Sequence, residues 1–134
     1  QYALESMNRT LELNPEHAVA MVLRGYLHQI LGDMDRAIQD YNVVLRKFPD
    51  LLVTHFYIAS YYGKRGETEL SIRHLERVFE IRRTMPDFDK EGYGGVLSRI
   101  DHMADFDPIR NSDSFHRFLE PFQKSSGVRP KTGG

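Results

Sequence analysis

Three segments of the chain share one pattern of apolar and polar positions. In each, a small residue is followed four positions later by a large apolar or aromatic residue, and three positions after that by a branched one. The three triads are Ala3, Met7 and Thr10; Ala37, Tyr41 and Val44; and Ser71, Leu75 and Val78. Because positions i, i+4 and i+7 lie on one face of an α-helix, each triad predicts an amphipathic helix.

The spacing between the triads is constant. Corresponding positions lie 34 residues apart, and so do Pro15 and Pro49, which follow the first two triads. Proline ends a helix because it lacks the N–H group and disfavours helical geometry in the residue before it. The intervening segments are also predicted helices, with a small residue at mid-length, Gly25 and then Ala59. A repeat of this length indicates stacked units of secondary structure.

The repeated pattern resembles that of the tetratricopeptide repeat (TPR) family. The matches in residues 18–51 are Gly25, Tyr26, Gly32, Asp33, Ala37, Ile38, Tyr41, Leu45 and Pro49. Those in residues 52–85 are Ala59, Tyr62, Gly66, Ile72, Leu75 and Val78, with Arg83 in place of the usual proline. The resemblance implies an all-α protein, a TPR-type α-solenoid of stacked antiparallel helix hairpins.

The resemblance also implies a division of the chain. Residues 1–85 would form the repeat array, with two complete repeats at 18–51 and 52–85. Residues 1–17 match only the second helix of a truncated repeat, so we expect that the chain was cut from a longer array. A lone second helix leaves an apolar face uncovered, and the ends of repeat arrays need capping.

The 34-residue period ends after Arg83. Pro86 and three glycines predict a loop over residues 84–95, followed by a helix at 96–103 and a second loop at 104–111. A last helix is predicted at 112–122, with Ser112 or Asp113 as its N-cap. Its buried stripe would be Phe115, Phe118, Leu119 and Phe122. We expect residues 86–122 to cap the array and the polar residues 123–134 to form a flexible tail.

Composition narrows the classes of partner. The 134 residues include 18 basic and 19 acidic residues, for a formal net charge of −1, so no strong field of one sign favours nucleic acid or an anionic membrane. No apolar run is long enough for a membrane helix, and membrane insertion is not expected. The chain has no cysteine, which excludes disulfides and thiolate chemistry but leaves the compartment open.

Catalytic and metal-binding motifs are not found. Asp87, Asp89, Glu91 and Gly92 fit the start of an EF-hand loop, but Ser98 stands where a bidentate glutamate is needed, which favours an ordinary acidic turn. The six histidines lack a metal-ligand spacing, and no nucleophile or phosphate-binding motif is present. We therefore predict no enzyme activity, no cofactor and no metal site.

The TPR resemblance implies a concave groove lined by the first helix of each repeat. The groove residues carried over from the family are Val19, Val22, Tyr26, Gln29, Val53, Phe56, Tyr57, Ser60 and Lys64, flanked by Leu23 and Ile30. The family's cluster of Lys, Arg and Asn for a terminal carboxylate is missing. The groove suits instead a protein or peptide partner, bound as a helix or extended segment through apolar anchors.

Other interpretations of these residues remain open. They could pack between adjacent helices or under the C-terminal cap, and residues 112–122 could occupy the groove in cis. The array could also serve as an assembly scaffold that binds copies of itself. A third alternative is a regulatory domain of a larger enzyme or regulator.

Overall fold

The structure, a computed structural model, describes residues 2–126, which are helical with no strand. The prediction of an all-α protein is confirmed. The helices are α1 (Tyr2–Leu13), α2 (Ala18–Ile30), α3 (Met34–Lys47), α4 (Leu52–Lys64), α5 (Thr68–Arg83), α6 (Phe88–Glu91), α7 (Gly94–His102), α8 (Asp107–Arg110) and α9 (Asp113–Ser126). A 3-10 turn, Ala104–Phe106, precedes α8.

Short connections pair the helices of residues 18–85. Gly32 and Gly66 follow α2 and α4 with φ of 87° and 75°, a conformation that glycine adopts without steric cost. Asp33 then caps α3 by accepting a hydrogen bond from the Arg36 N–H at 3.3 Å. Because each connection is three residues long, α2 and α3 run antiparallel, as do α4 and α5.

The triads of α3 and α5 are the contact points within these pairs. Tyr41 is fully buried against α2, and a Cβ atom added to Gly25 would lie 2.7 Å from its ring. In the second pair, the Ser71 hydroxyl donates to the Ala59 carbonyl at 2.8 Å, with Leu75 fully buried beside it. The small residues therefore let the paired helices approach closely, as the sequence predicts.

The helix α4 joins the two halves of the molecule. Its Ile58 and Tyr61 belong to a core with Val22, Tyr41 and Val44 of the first pair. The Phe56 and Ala59 side chains on its other side belong to a second core, shared with α5 and the C-terminal helices. The apolar character of α4 on both sides explains why it is buried along most of its length.

The C-terminal third is more helical than the sequence predicts. The segment 84–95, predicted as a loop, contains α6, and the segment 104–111 forms the 3-10 turn and α8. Pro108 is tolerated there because it stands in the first turn of α8, where no N–H donor is needed. Arg110 fixes the segment by donating to the carbonyls of Ile100 at 3.0 Å and Met103 at 2.9 Å.

Helix α9 packs its predicted stripe against α5. Phe122 stacks on Phe79 at a centroid distance of 4.0 Å, and Phe115 and Leu119 are buried in the second core. Ser112 is the N-cap, since its hydroxyl accepts from the Phe115 N–H at 3.3 Å. The helix continues to Ser126, so residues 123–126 are helical rather than part of the predicted tail. Residues 127–134 of that tail lie outside the described residues.

Candidate interaction surface on α2 and α4

Four of the predicted groove residues lie inside the fold. Val22, Gln29, Phe56 and Ser60 are all fully buried, although they belong to the helices expected to line the groove. In this conformation they have no surface to offer a partner. The candidate surface therefore consists of the residues that remain accessible.

Phe56 is covered by the segment between α7 and α9. Its ring lies 5.9 Å from that of Phe106 in an edge-to-face arrangement. The same segment approaches α4 at Gly63, where an added Cβ would lie 3.1 Å from the Asp105 carbonyl oxygen and from the Phe106 ring. Part of the predicted groove is thus filled in cis by residues 104–110, whereas the alternative drawn from the sequence is 112–122.

Gln29 and Ser60 can be buried because their polar side-chain atoms form hydrogen bonds inside the fold. The Tyr41 hydroxyl donates to Gln29 Oε1 at 2.9 Å, and Gln29 Nε2 donates to Ser60 Oγ at 3.1 Å. The Ser60 hydroxyl in turn donates to the Tyr57 carbonyl at 2.7 Å. Buried polar groups need such partners, so this chain of hydrogen bonds serves to hold α2, α3 and α4 together.

Lys64 is exposed, but its ammonium group forms a hydrogen bond within the fold. Its Nζ donates to the main-chain carbonyl of Gln29 at 3.1 Å, near the C-terminus of α2. A cation is favourable there because the helix end presents unpaired carbonyl groups. We assign Lys64 to the α2–α4 contact rather than to a ligand.

Four of the accessible apolar residues of α2 form one line. Val19, Leu23, Tyr26 and Ile30 stand at positions i, i+4, i+7 and i+11, which lie on one helix face. Val19 is 43% exposed and Ile30 is 57% exposed, while the two residues between them are half-buried. We call these four residues the α2 stripe.

Tyr26 anchors the middle of the α2 stripe. Its ring lies 4.6 Å from that of Tyr57 on α4, and its hydroxyl donates to the Asp105 carboxylate at 3.0 Å. Burial, with the nearby Asp105 charge, raises the pKa of Tyr26, so the phenol keeps its proton and remains a donor. Tyr57 and Val53 are also half-buried, and they extend the apolar surface onto α4.

A second accessible apolar surface lies on α1. The Ala3 side chain is exposed, and Met7 and Thr10 are half-buried, although the matching residues of α3 and α5 are almost fully buried. At the two ends of the helix, Tyr2 is 88% exposed and Leu13 is 84% exposed. We call Ala3, Met7 and Thr10 the α1 face.

Two histidines meet at the contact between α4 and α5. Nδ1 of His55 lies 3.2 Å from Nδ1 of His74, and Nε2 of His55 lies 2.6 Å from the Pro49 carbonyl oxygen. A carbonyl only accepts, so a neutral His55 carries its proton on Nε2, and His74 donates from Nδ1. Burial lowers the pKa of His74 to about 4, with smaller contributions from His55 and Arg73.

The remaining sequence candidates add no site. Among residues 2–126, no three His, Asp or Glu side chains come together as a metal site would require. In the EF-hand-like segment, Asp87 pairs with Arg82 at 2.8 Å, and the Glu91 side chain lies outside the described part. The described helices also include none with the length and apolar character needed to cross a bilayer.

Comparisons of the chain with protein-family profiles, with curated proteins and with solved structures find no match. The α2 stripe and the α1 face are therefore the two candidate functional surfaces of the described residues.

Proposed function

We propose that this chain is a non-catalytic protein-interaction module that binds a polypeptide segment along the α2 stripe. The observation that carries the proposal is the alignment of Val19, Leu23, Tyr26 and Ile30 on one helix face, with both ends exposed. Single exposed apolar residues are normal in soluble proteins. A continuous apolar line is typical of surfaces that bind another chain.

The dimensions of the α2 stripe favour a short polypeptide. Ile30 lies eleven positions after Val19 in the helix, a distance of about 16 Å. That span matches three turns of a partner helix or about five residues of an extended segment. The Tyr26–Tyr57 pair lies between the two ends and supplies the aromatic contact that commonly dominates such interfaces.

A TPR-type solenoid is part of the same proposal. Two helix pairs are related by a constant offset of 34 residues, and the same register positions of α3 and α5 are buried. These features support stacked repeats in which α2 and α4 would be the groove helices. The groove would be shorter than in the sequence-based prediction, because residues 104–110 cover the Phe56 side of α4.

Selection of peptides from a random display library tests the proposal without requiring that a natural partner be identified. We expect the unmodified chain to enrich peptides with two or three apolar anchors. Substitution of Ile30→Asp should weaken their binding by about tenfold or more, because a charge would be desolvated in an apolar contact. Leu13→Asp, which adds the same charge at an exposed leucine of α1, is the matched control. Equal affinity for both variants would contradict the proposal.

Self-assembly is a second candidate function, favoured by the α1 face. Its residues have the same pattern as the buried triads of α3 and α5, but in α1 they remain accessible. We expect molecular mass from light scattering to rise with protein concentration and Met7→Glu to abolish the rise. If the chain remains a monomer at all concentrations, this second function is excluded and the first is unaffected.

A further inference from the structure

A small cavity opens between α5, the residue before α7, and the C-terminal part of α9. Its volume is about 190 Å³. Its walls are formed by Glu76, Phe79, Glu80, Arg83, Tyr93 and Phe122. We call it the aromatic cavity, and it shares no residue with the α2 stripe or the α1 face.

The floor of the aromatic cavity consists of three rings in mutual contact. Phe79 and Phe122 are stacked at 4.0 Å with an interplanar angle of 7°. Tyr93 meets both of them edge-to-face, at 5.1 Å from Phe79 and 5.0 Å from Phe122. Phe79 and Tyr93 are buried while Phe122 is only half-buried, so Phe122 offers the most accessible ring surface.

The mouth of the aromatic cavity is acidic. Glu76 and Glu80 stand one helical turn apart on α5, and Arg83 follows three residues later on the same face. Glu80 also pairs with Arg77 at 3.1 Å, outside the cavity lining. The two carboxylates and one guanidinium of the lining leave a formal charge of −1 above an apolar floor, which favours a ligand with a cationic head and an apolar stem.

We propose that the aromatic cavity binds an alkylammonium group, presented as the side chain of a lysine in a polypeptide partner. Sites for drug-sized ligands and cofactors have volumes of roughly 300–1,000 Å³, so this cavity has room for a single side chain. The methylene stem packs against Phe122 and the ammonium group lies between Glu76 and Glu80. Aromatic rings and carboxylates both attract such a cation.

Titration of the whole chain with three small probes, followed by amide NMR, tests this site. The probes are the N-acetyl, N-methylamide derivative of lysine, the same derivative of norleucine, and n-butylammonium chloride at constant ionic strength. Norleucine keeps the stem and lacks the ammonium group. We expect saturable shifts at the amides of Phe79, Tyr93 and Phe122, with the lysine derivative binding about fivefold or more tightly than norleucine.

Charge variants sharpen the test because they act in opposite directions. The double variant Glu76→Gln, Glu80→Gln should weaken lysine binding by about fivefold, and Arg83→Gln should strengthen it by about twofold. Glu69→Gln, an exposed change of the same type in the first turn of α5, should have no effect. All four positions are exposed, so each variant should fold, which circular dichroism would verify.

Three results would overturn the proposal. Equal binding of norleucine and lysine would show an apolar site without preference for a cation. Shifts that spread over the surface without saturating would show that there is no site. Tighter binding of butylammonium than of the lysine derivative would assign the cavity to a free amine and reject the polypeptide source.

Discussion

Helices α1 and α3 have the same pattern of residues and opposite surroundings. In α3, Ala37 and Tyr41 are fully buried under α2. In α1, the corresponding Ala3 is exposed and Met7 is half-buried. The difference shows that an amphipathic pattern indicates where a helix can pack, whereas burial depends on which residues the neighbouring helix presents to it.

The contacts of α1 and α3 with α2 explain the difference. The helix α2 presents Gly25 to Tyr41 of α3, and this close approach covers the α3 triad. Toward α1, the same helix presents Arg24, which donates to the Asn8 side chain at 3.2 Å while it also pairs with Asp40 of α3 at 2.7 Å. Among the described residues of α1, Leu11 is buried, whereas none of the three triad residues is.

Truncation of the large residue in each triad should give the largest difference between α1 and α3 in the free energy of unfolding. Tyr41→Ala should lower the free energy of unfolding by about 3–5 kcal/mol, because it leaves a cavity and removes the hydrogen bond to Gln29. Met7→Ala should lower it by less than about 1 kcal/mol. Urea unfolding of both variants measures the two values, and similar losses would contradict the account.

Addition of a methyl group to Gly25 tests the close contact with Tyr41. The new Cβ would lie 2.7 Å from the Tyr41 ring and 3.2 Å from the Ala37 carbonyl oxygen, so Gly25→Ala should destabilise the fold by about 1–3 kcal/mol. Gly95→Ala is the matched control in α7, where no atom lies within 4 Å of an added Cβ. We expect it to stabilise the fold by up to about 1 kcal/mol. Thermal unfolding of both variants measures these changes in stability. Equal changes in Gly25→Ala and Gly95→Ala would exclude a steric clash as the cause.

The α4–α5 pair adds a titratable contact that the α1 face lacks. The folded-state pKa of His74, at about 4, is below its usual value of 6.5, so the unfolded chain binds the proton more readily. Stability from this contact is complete above pH 6.5 and is lost as pH falls toward 4. The loss should reach about 1–2 kcal/mol, less than the full shift implies because His74 is partly exposed.

Substitution of His74 identifies the source of this pH dependence. In His74→Phe, a neutral ring can keep the stacking on Tyr62, which lies 5.9 Å away in the unmodified chain. We expect urea midpoints measured between about pH 4 and pH 7 to vary less in this variant than in the unmodified chain. His116→Phe, at an exposed position of α9, should leave the dependence unchanged.

Removal of the Tyr26 hydroxyl should cost less stability than Tyr41→Ala or Gly25→Ala. One side of α2 packs against α3. Tyr26, which also belongs to α2, contacts the C-terminal segment through the hydrogen bond from its hydroxyl to Asp105. Tyr26→Phe should cost about 1 kcal/mol and increase amide hydrogen exchange at residues 104–110. Unchanged exchange there would show that Phe106 and Ile109 hold the segment without Tyr26.

The helix pairs can be predicted from sequence because their determinants are local and repeated. Gly25 and Ala37 are recognisable from periodicity alone, and each occupies the contact that a small residue permits. The C-terminal segment is harder to predict, since Pro108 and the surrounding Asp and Asn residues are typical of loops. The feature of the sequence that indicates a helical segment there is the pair Phe106 and Ile109, two apolar residues at helical spacing.

The candidate site is harder still to predict because its covering elements are distant in sequence. Tyr26 and Asp105 are 79 residues apart, and no pattern within α2 indicates that a carboxylate will approach it. The burial of Phe56 likewise depends on Phe106. Local patterns therefore identify the helices that would line the predicted groove, whereas the part of their surface that remains accessible depends on tertiary contacts.

An NMR footprint of a selected peptide on the whole chain tests the central claim most directly. We expect amide shifts that concentrate at Val19, Leu23, Tyr26 and Ile30, extend to Tyr57, and saturate with peptide concentration. Shifts confined to the α1 face, or to residues away from both helices, would contradict the assignment of the α2 stripe as the binding surface.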